Sequence, residues 1–581
     1  MADGRGKNVG FRVVLEADLA AAEDAGEEPG SQVRDIVANA AASSKEQAEL
    51  QLSLAKLLDE NSHRKNAIKE YLAAAQSLHS LLPEQPNAEQ FLEAIAPRVR
   101  AFRLAKELKE EERLNKIIQE LEHDLDLRLS QLSHYQDDGV ASASRVDVGQ
   151  WYALIGRDKK ALDALHLGLE YGDLPERYER NKLESIMITL YDLARSLEGD
   201  GDLERADTAI MMCRNVAEII LDKPEHARNR VWLFAWSARI KQKRGEPEAA
   251  AEFAKQAIQV EIPLDDDSFV QKAGVFIFDA LSDATRRLIT LKEDAAIAEG
   301  YKRRVEVAQR IAEVVGDVAS WKRLSYVLVF EGNWYKERQE QVRYQESFRA
   351  AVVAAQVFVQ KALEEAQKDR SPRHRVTLAE ARQFLGGILI DLERLDEARI
   401  EYQKSFELSQ ELFELTKDET SLRNLSKAHW RLAQLADAAG DSAGAVSRME
   451  LAIALIDNWS GNKNSQDLKE ELSGHYVSLS WFQLLHGDPS AAESAAQAGL
   501  RLTPKKPALQ GNLLLAYLLQ DRYQDAVAVF EAHKDVLLED PSKPFSQVVL
   551  DDLSSLRKRG IDHDNFSRLE EFMESFQSDV E

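Results

Sequence analysis

His123 and His134 stand eleven residues apart on "EHDLDLRLSQLSHY", a spacing that lets two imidazoles share one helix face. Metal binding needs a third ligand of the right type nearby. The stretch supplies none, so these histidines read as solvated or capping groups. Cys213, the single cysteine, lies in "IMMCRNVAEII". A nucleophilic thiolate needs a histidine or a helix N-terminus beside it, and neither signature is present, so Cys213 reads as core packing. The run Asp265-Asp266-Asp267 in "PLDDDS" is acidic enough for calcium. Calcium loops, however, place their ligands at alternate positions around a glycine turn, so consecutive aspartates read better as a loop with a helix N-cap. GxxxxGK, GxGxxG, HExxH and CxxC are all absent, which removes the common phosphate-cradling, dinucleotide and zinc chemistries. The expectation is no enzyme activity, no metal and no cofactor. The eight tryptophans, Trp151, Trp232, Trp236, Trp321, Trp334, Trp430, Trp459 and Trp481, could stack a ligand, but at helical spacing they read mostly as core.

The elements that would position such groups follow from length and composition. At 581 residues the chain exceeds what one hydrophobic core sustains, roughly 250 to 300 residues. It is therefore several domains or a repeat array. With 44% hydrophobic and 30% charged residues, 14 Pro and 27 Gly, most of it should fold. The 75 Lys and Arg against 100 Asp and Glu give a net charge of -25, which repels a phosphate backbone and an anionic membrane. No nucleic-acid partner and no membrane partner is expected. One cysteine fits a reducing compartment, and the N-terminus carries no basic segment followed by an apolar run. The expected location is cytoplasmic.

Small residues recur along the chain at Ala67, Ala161, Ala206, Ala250, Ala296, Ala398, Ala445, Ala492 and Ala526. Most steps are 44 to 47 residues; Ala398 to Ala445 and Ala445 to Ala492 are each 47, and Ala492 to Ala526 is 34. A small residue at each such point lets the second helix of a hairpin cross the first closely. Two longer gaps each predict a further hairpin, one at "FRLAKELKEEERLNKIIQELE" and one around Tyr344. About eleven hairpins then cover residues 45–540. Pairs such as Leu54-Ala55, Leu193-Ala194, Leu385-Gly386, Leu432-Ala433 and Leu479-Ser480 stand twelve to thirteen residues before the small residue. The turns between are rich in Gly, Asp and Glu, as helix stop and start signals require. This pattern resembles the tetratricopeptide-repeat family over most of the chain. The implied fold is all-α, an α-solenoid of antiparallel helix hairpins, with the extra residues per unit spent on longer helices. Residues 541–581, broken at Gly560, read as capping helices.

The resemblance also implies a groove lined by the first helix of each hairpin. The residue after the small pair is Lys56, Arg195, Arg239, Gln434 or Trp481 in different repeats, and these are the expected groove residues. Family members that clamp C-terminal carboxylates use Lys and Asn at set positions. Here Asn333 alone matches, so that clamp is not expected. Lys56, Arg195 and Arg239 instead point to a locally basic strip for an acidic partner segment.

The opening "NVGFRVV", residues 8–14, is a β-branched strand with no partner strand nearby. It resembles the closing strand of the formylglycine-generating, sulfatase-modifying-factor fold. None of that family's catalytic cysteines is present, so no such activity is implied. Residues 1–16 would be the stub of an upstream domain and residues 17–44 an acidic linker leading into the first helix, making the chain the C-terminal part of a bacterial multidomain protein. The expected function is a non-enzymatic scaffold that binds a protein or peptide along its concave surface. The alternatives are a regulatory or substrate-recruiting arm of a larger enzyme, and a sensor whose groove holds the chain's own acidic 540–581 region.

Overall fold

The computed structural model describes residues 44–60, 63–83, 88–132, 139–169, 178–221, 223–459, 461, 465–534 and 544–578. The strand-like segment 8–14, the stub and all but the last residue of the acidic linker lie outside the described residues. Among the described residues the chain is all-α, with twenty-four α-helices and no strand.

In chain order these are α1 (Ser44–Glu60), α2 (Arg64–Ser80), α3 (Ala88–Glu107), α4 (Glu111–Leu132), α5 (Gly139–Leu154), α6 (Asp158–Leu169), α7 (Arg180–Gly199), α8 (Leu203–Ile220), α9 (Ala227–Lys243) and α10 (Pro247–Gln259). There follow α11 (Asp267–Leu291), α12 (Asp294–Val315), α13 (Val318–Glu337), α14 (Gln341–Lys368), α15 (Pro372–Asp391), α16 (Leu395–Thr416), α17 (Glu419–Ala438) and α18 (Ser442–Asp457). The last are α19 (Gln466–His486), α20 (Pro489–Leu502), α21 (Pro507–Leu519), α22 (Tyr523–His533), α23 (Phe545–Lys558) and α24 (Asp564–Ser578). They form two compact units, one up to Ala250 and one from Ala251 onward.

Within each unit odd and even helices pair as hairpins, and the second helix of one hairpin packs on the first helix of the next. The fold is tetratricopeptide-like. Both hairpins expected in the longer gaps are present, α3 with α4 and α13 with α14, the latter carrying Tyr344 on its second helix. Helices of 20 to 28 residues, such as α13 and α14, account for the long steps. The 34-residue step from Ala492 to Ala526 belongs to α21 and α22, which have only 13 and 11 residues.

The sequence makes the hairpin turn in one recurring way. After the first helix one residue takes left-handed backbone: Gly156, Gly201, Gly245, Gly440, Gly487 or Gly560 in six hairpins, and Lys109, Lys292, Gln339, Glu393 or Asp521 in five others. The next N–H then donates to a carbonyl five residues back, as Arg157 does to Tyr152, Asp441 to Ala436 and Asp488 to Gln483. That bond closes the helix and satisfies an otherwise orphaned carbonyl. Side-chain caps start the following helix: Asp202, Asp441 and Asp488 each accept from the N–H three residues on.

Helix crossings show why small residues recur. Ala67, Ala161, Ala206, Ala398, Ala445, Ala492 and Ala526 are fully buried. Ala296 is not; it is half-buried, and Ile297 next to it is the core residue, at 1% exposure. With that correction 297 minus 250 and 344 minus 297 are both 47. Elsewhere glycine on the first helix admits a large residue from the second. A Cβ on Gly386 would sit 2.3 Å from Tyr402 Cε1, and one on Gly332 would sit within 2.6 Å of the Phe348 ring.

Candidate functional site

In the C-terminal unit the first helices make a continuous row. From α15 onward each touches the next first helix directly, α15 to α17, α17 to α19, α19 to α21 and α21 to α23. This row lines a cavity of 670 Å³, with walls from all five helices and from Tyr402 of α16. Its size lies within the usual range for ligand pockets, about 300 to 1,000 Å³.

Two aromatic rings face it. Trp430 of α17 donates its indole N–H to Ser478 Oγ on α19 at 3.0 Å, which fixes the ring across two repeats. Trp481, three residues further along α19, lines the same space. Beyond the cavity, on α13 and α15, Tyr326 and Phe384 stack face to face with ring centroids 4.1 Å apart.

The charged groups of the cavity are unevenly paired. Asp437 receives both terminal nitrogens of Arg559 at 3.0 Å, and Asp391 meets Lys336 at 3.3 Å. Burial, together with the neighbouring Asp551, raises the carboxyl of Asp552 to about 7. Arg431 differs. Its guanidinium lies over the Trp430 ring at 4.3 Å and donates to Gln434 Oε1 at 2.8 Å. Among the described residues no carboxylate contacts it, and its Nε is buried without an acceptor. Beside it the Tyr402 side chain is 1% exposed; its hydroxyl is near enough to accept from the Arg431 guanidinium, while its own proton meets no acceptor. Burial pushes that phenol up to about 12 against the pull of the Arg431 charge. Leaving such a donor unpaired in the interior costs about 1 to 3 kcal/mol.

The expected groove residues are distributed as follows. Gln434 and Trp481 are half-buried and both line this cavity. Lys56 of α1 and Arg195 of α7 are exposed in the N-terminal unit. Arg239 is half-buried in that unit, lies over the Trp236 ring and donates to Glu198 at 2.7 Å. Glu198 also accepts from Lys243 and from the Trp236 indole, so the Arg239 charge is locally neutralised. The N-terminal unit has its own cavity of 540 Å³ between first helices α3, α5 and α7, where Arg103, Lys106 and Trp151 meet Gln150 and Asp192.

The other candidates resolve into structural roles. Cys213 is 1% exposed, its thiol is raised to about 12 by burial, and Sγ donates to the Met187 carbonyl. Asp266 caps α11 by accepting from the Phe269 N–H at 3.0 Å, and Asp267 binds Arg310 at 2.7 Å. His123 is exposed, and His134 lies outside the described residues. Among the described residues no group of three or more His, Cys, Asp or Glu is placed to hold a metal ion, and no helix is long and apolar enough to cross a membrane. Only Trp236 and Trp334 are buried outright. The other six tryptophans sit half-buried at the margin of the core, so the set is less a core set than its spacing predicts.

Sequence reading missed Tyr402, Arg431, Asp437, Asp552 and Arg559. A signal existed for Arg431: it precedes Gln434 by three residues, and such pairs share a helix face.

No family model matches the chain, and no curated protein matches it. Solved structures give likenesses of low identity. BtubC from P. vanneervenii is 14% identical over 45% of this chain and 91% of that chain, at a TM-score of 0.28. A Rap protein complexed with competence and sporulation factor is 13% identical over 68% of this chain and 94% of that one, at 0.31. The apo form of RapI is 10% identical over 74% and 98%, at 0.32.

Proposed function

We propose that this chain is a non-enzymatic binding scaffold that holds a peptide or protein segment along its first-helix faces, with the cavity around Trp430, Arg431 and Trp481 as a principal site. One observation carries the reading. A cavity walled by helices from successive hairpins retains an arginine with no carboxylate in contact and a buried hydroxyl whose proton has no acceptor, and both are groups that a ligand would satisfy. Lys56, Arg195 and Arg239 extend the reading to the N-terminal unit as groove residues. A net charge of -25 argues against nucleic acid and anionic membrane as partners.

Selection of a phage-displayed peptide library on the intact chain tests this. Wild type should enrich a peptide consensus, and Trp481→Ala, which removes a cavity wall at a half-buried position on the margin of the core, should lose it while the circular dichroism stays that of wild type. Enrichment unchanged by Trp481→Ala would place binding elsewhere.

A further inference from the structure

Resting on that reading, we infer that the cavity selects an acidic peptide segment, seating a side-chain or terminal carboxylate on Arg431 and Tyr402 with an apolar neighbour against Trp430 and Trp481. This site differs from a Lys and Asn carboxylate clamp, since neither group is a Lys or Asn and Tyr402 comes from a second helix.

The argument is one of unmet valence. A guanidinium presents five N–H donors in a fixed fork that matches a carboxylate. Arg431 spends one on Gln434 and turns another toward the Tyr402 oxygen, and its buried Nε finds no acceptor. Tyr402 adds a donor that is equally unspent. The remaining charged groups of the cavity do not compete: Asp437 is held by Arg559 and Asp391 by Lys336, while Asp552 is kept largely protonated below neutral pH by burial. What remains is one cation beside two indoles, with a donor hydroxyl beneath.

Charge and shape choose the occupant. A polyphosphate chain needs a row of cations, and among the cavity's lining residues Arg431 and Arg559 are the cations, the second already paired. A single carboxylate next to an apolar or aromatic side chain matches one arginine between two tryptophans. Packing Arg431 over Trp430 also pre-orders its fork, which lowers the entropy lost on binding.

The test uses the full-length chain and a positional-scanning library of fluorescein-labelled octapeptides, read by anisotropy. Wild type should prefer Asp or Glu at one position, with Gln at that position binding about ten- to a hundredfold more weakly, the worth of a charge-assisted pair. Arg431→Gln should abolish the acid preference while leaving the circular dichroism and melting temperature near wild type. Arg431→Lys, which keeps the charge but not the fork, should restore only part of it. Tyr402→Phe should weaken the acidic peptides alone.

Equal binding of Glu and Gln peptides to wild type, or an acid preference that survives Arg431→Gln, overturns this inference and leaves the scaffold reading intact. Absence of binding by any peptide to wild type overturns both. Displacement of bound peptide by a single-stranded oligonucleotide at equimolar phosphate would show the site reads phosphate rather than carboxylate, and would likewise overturn it.

Discussion

Arg559 and Asp437 are 122 residues apart in sequence and joined side by side, with each guanidinium terminal nitrogen 3.0 Å from one carboxylate oxygen. The pair ties the turn after α23 to the last turn of α17, across the helices of two intervening hairpins. The row of first helices must therefore curve enough to bring its fifth member back toward its second. Arg559 is 46% exposed and Asp437 16% at the side chain, so solvent screens much of the attraction. A double-mutant cycle with Asp437→Ala and Arg559→Ala should give a coupling of about 0.2 to 1 kcal/mol in urea denaturation. Arg559→Ala alone also leaves Asp437 unneutralised in the cavity, so it should weaken acidic peptides. A coupling of zero with unchanged peptide affinity would mean that the contact does not persist in solution.

Gly386 and Tyr402 make the tightest crossing beside the site. A Cβ on Gly386 would stand 2.3 and 2.5 Å from Tyr402 Cε1 and Cδ1, distances no relaxed ring tolerates. Gly386→Ala should cost about 1 to 3 kcal/mol through overpacking, and much less in a Tyr402→Leu background, where the ring is gone. Tyr402→Phe points the other way. Removing a hydroxyl whose proton meets no acceptor should leave stability unchanged or raise it by up to about 1 kcal/mol, even as it removes a donor from the cavity. A clear loss of stability in Tyr402→Phe would show that the hydroxyl is satisfied in the unliganded protein.

Eleven hairpins turn through one left-handed residue, and five of them do so without glycine. A side chain in that conformation costs about 1 to 2 kcal/mol, part of which glycine gives back through the greater freedom of its unfolded chain. Glu393 has φ 58° and is exposed. Glu393→Gly should therefore stabilise by about 0.5 kcal/mol, whereas Gly440→Ala, the reverse change at φ 80°, should destabilise by about 1 kcal/mol. Thermal melts of the two variants check both signs. A destabilised Glu393→Gly would mean that its side chain makes a contact worth more than the strain.

The hairpins were legible because packing writes itself locally. A helix crossing demands a small residue, a turn demands a stop, and both recur at fixed spacing, so Ala398, Ala445 and Ala492 identify their helices without any knowledge of the whole. Where a large residue fills the position, as Ile297 does, a count of alanines slips by one. The cavity was legible only in part. Gln434 and Trp481 follow from their place on a first helix, because such helices line the inner row. Tyr402, on a second helix, reaches the same space only because Gly386 lets its ring pass between, and Asp552 and Arg559 arrive through the curvature of the stack. Crossing angles accumulate over several hairpins, and no local pattern encodes their sum. Pairing is equally invisible: Arg431, Arg559 and Arg239 are alike in sequence, yet only the first lacks a carboxylate in contact among the described residues.

Asp552 makes the cavity sensitive to pH, and the sign follows from its proton. Its carboxyl titrates near 3.8 when unperturbed and near 7 when folded, chiefly because burial disfavours the charge. Between those values the folded chain holds a proton that the unfolded chain has released. This group's stabilising contribution is thus complete below about pH 4 and is lost as pH rises through 7. His429 and His475 work in the opposite direction, since burial lowers both to about 4. Glu471 lies 3.7 Å from His475, but burial and nearby Lys427 keep that imidazole neutral. Their contribution is present above about 6.5 and lost as pH falls toward 4, so the wild-type profile mixes two slopes. Comparison with Asp552→Asn separates them. From pH 5 to 8 the stability of wild type relative to the variant should fall with rising pH, by at most about 1.4 kcal/mol per unit. The same ionisation places a negative charge in the cavity that holds Arg431, so acidic peptides should bind wild type more tightly at pH 6 than at pH 8, with the difference absent in Asp552→Asn. Urea melts and anisotropy titrations at pH 5, 6, 7 and 8 measure both, and parallel curves for the two proteins would show that Asp552 titrates as an ordinary carboxylate.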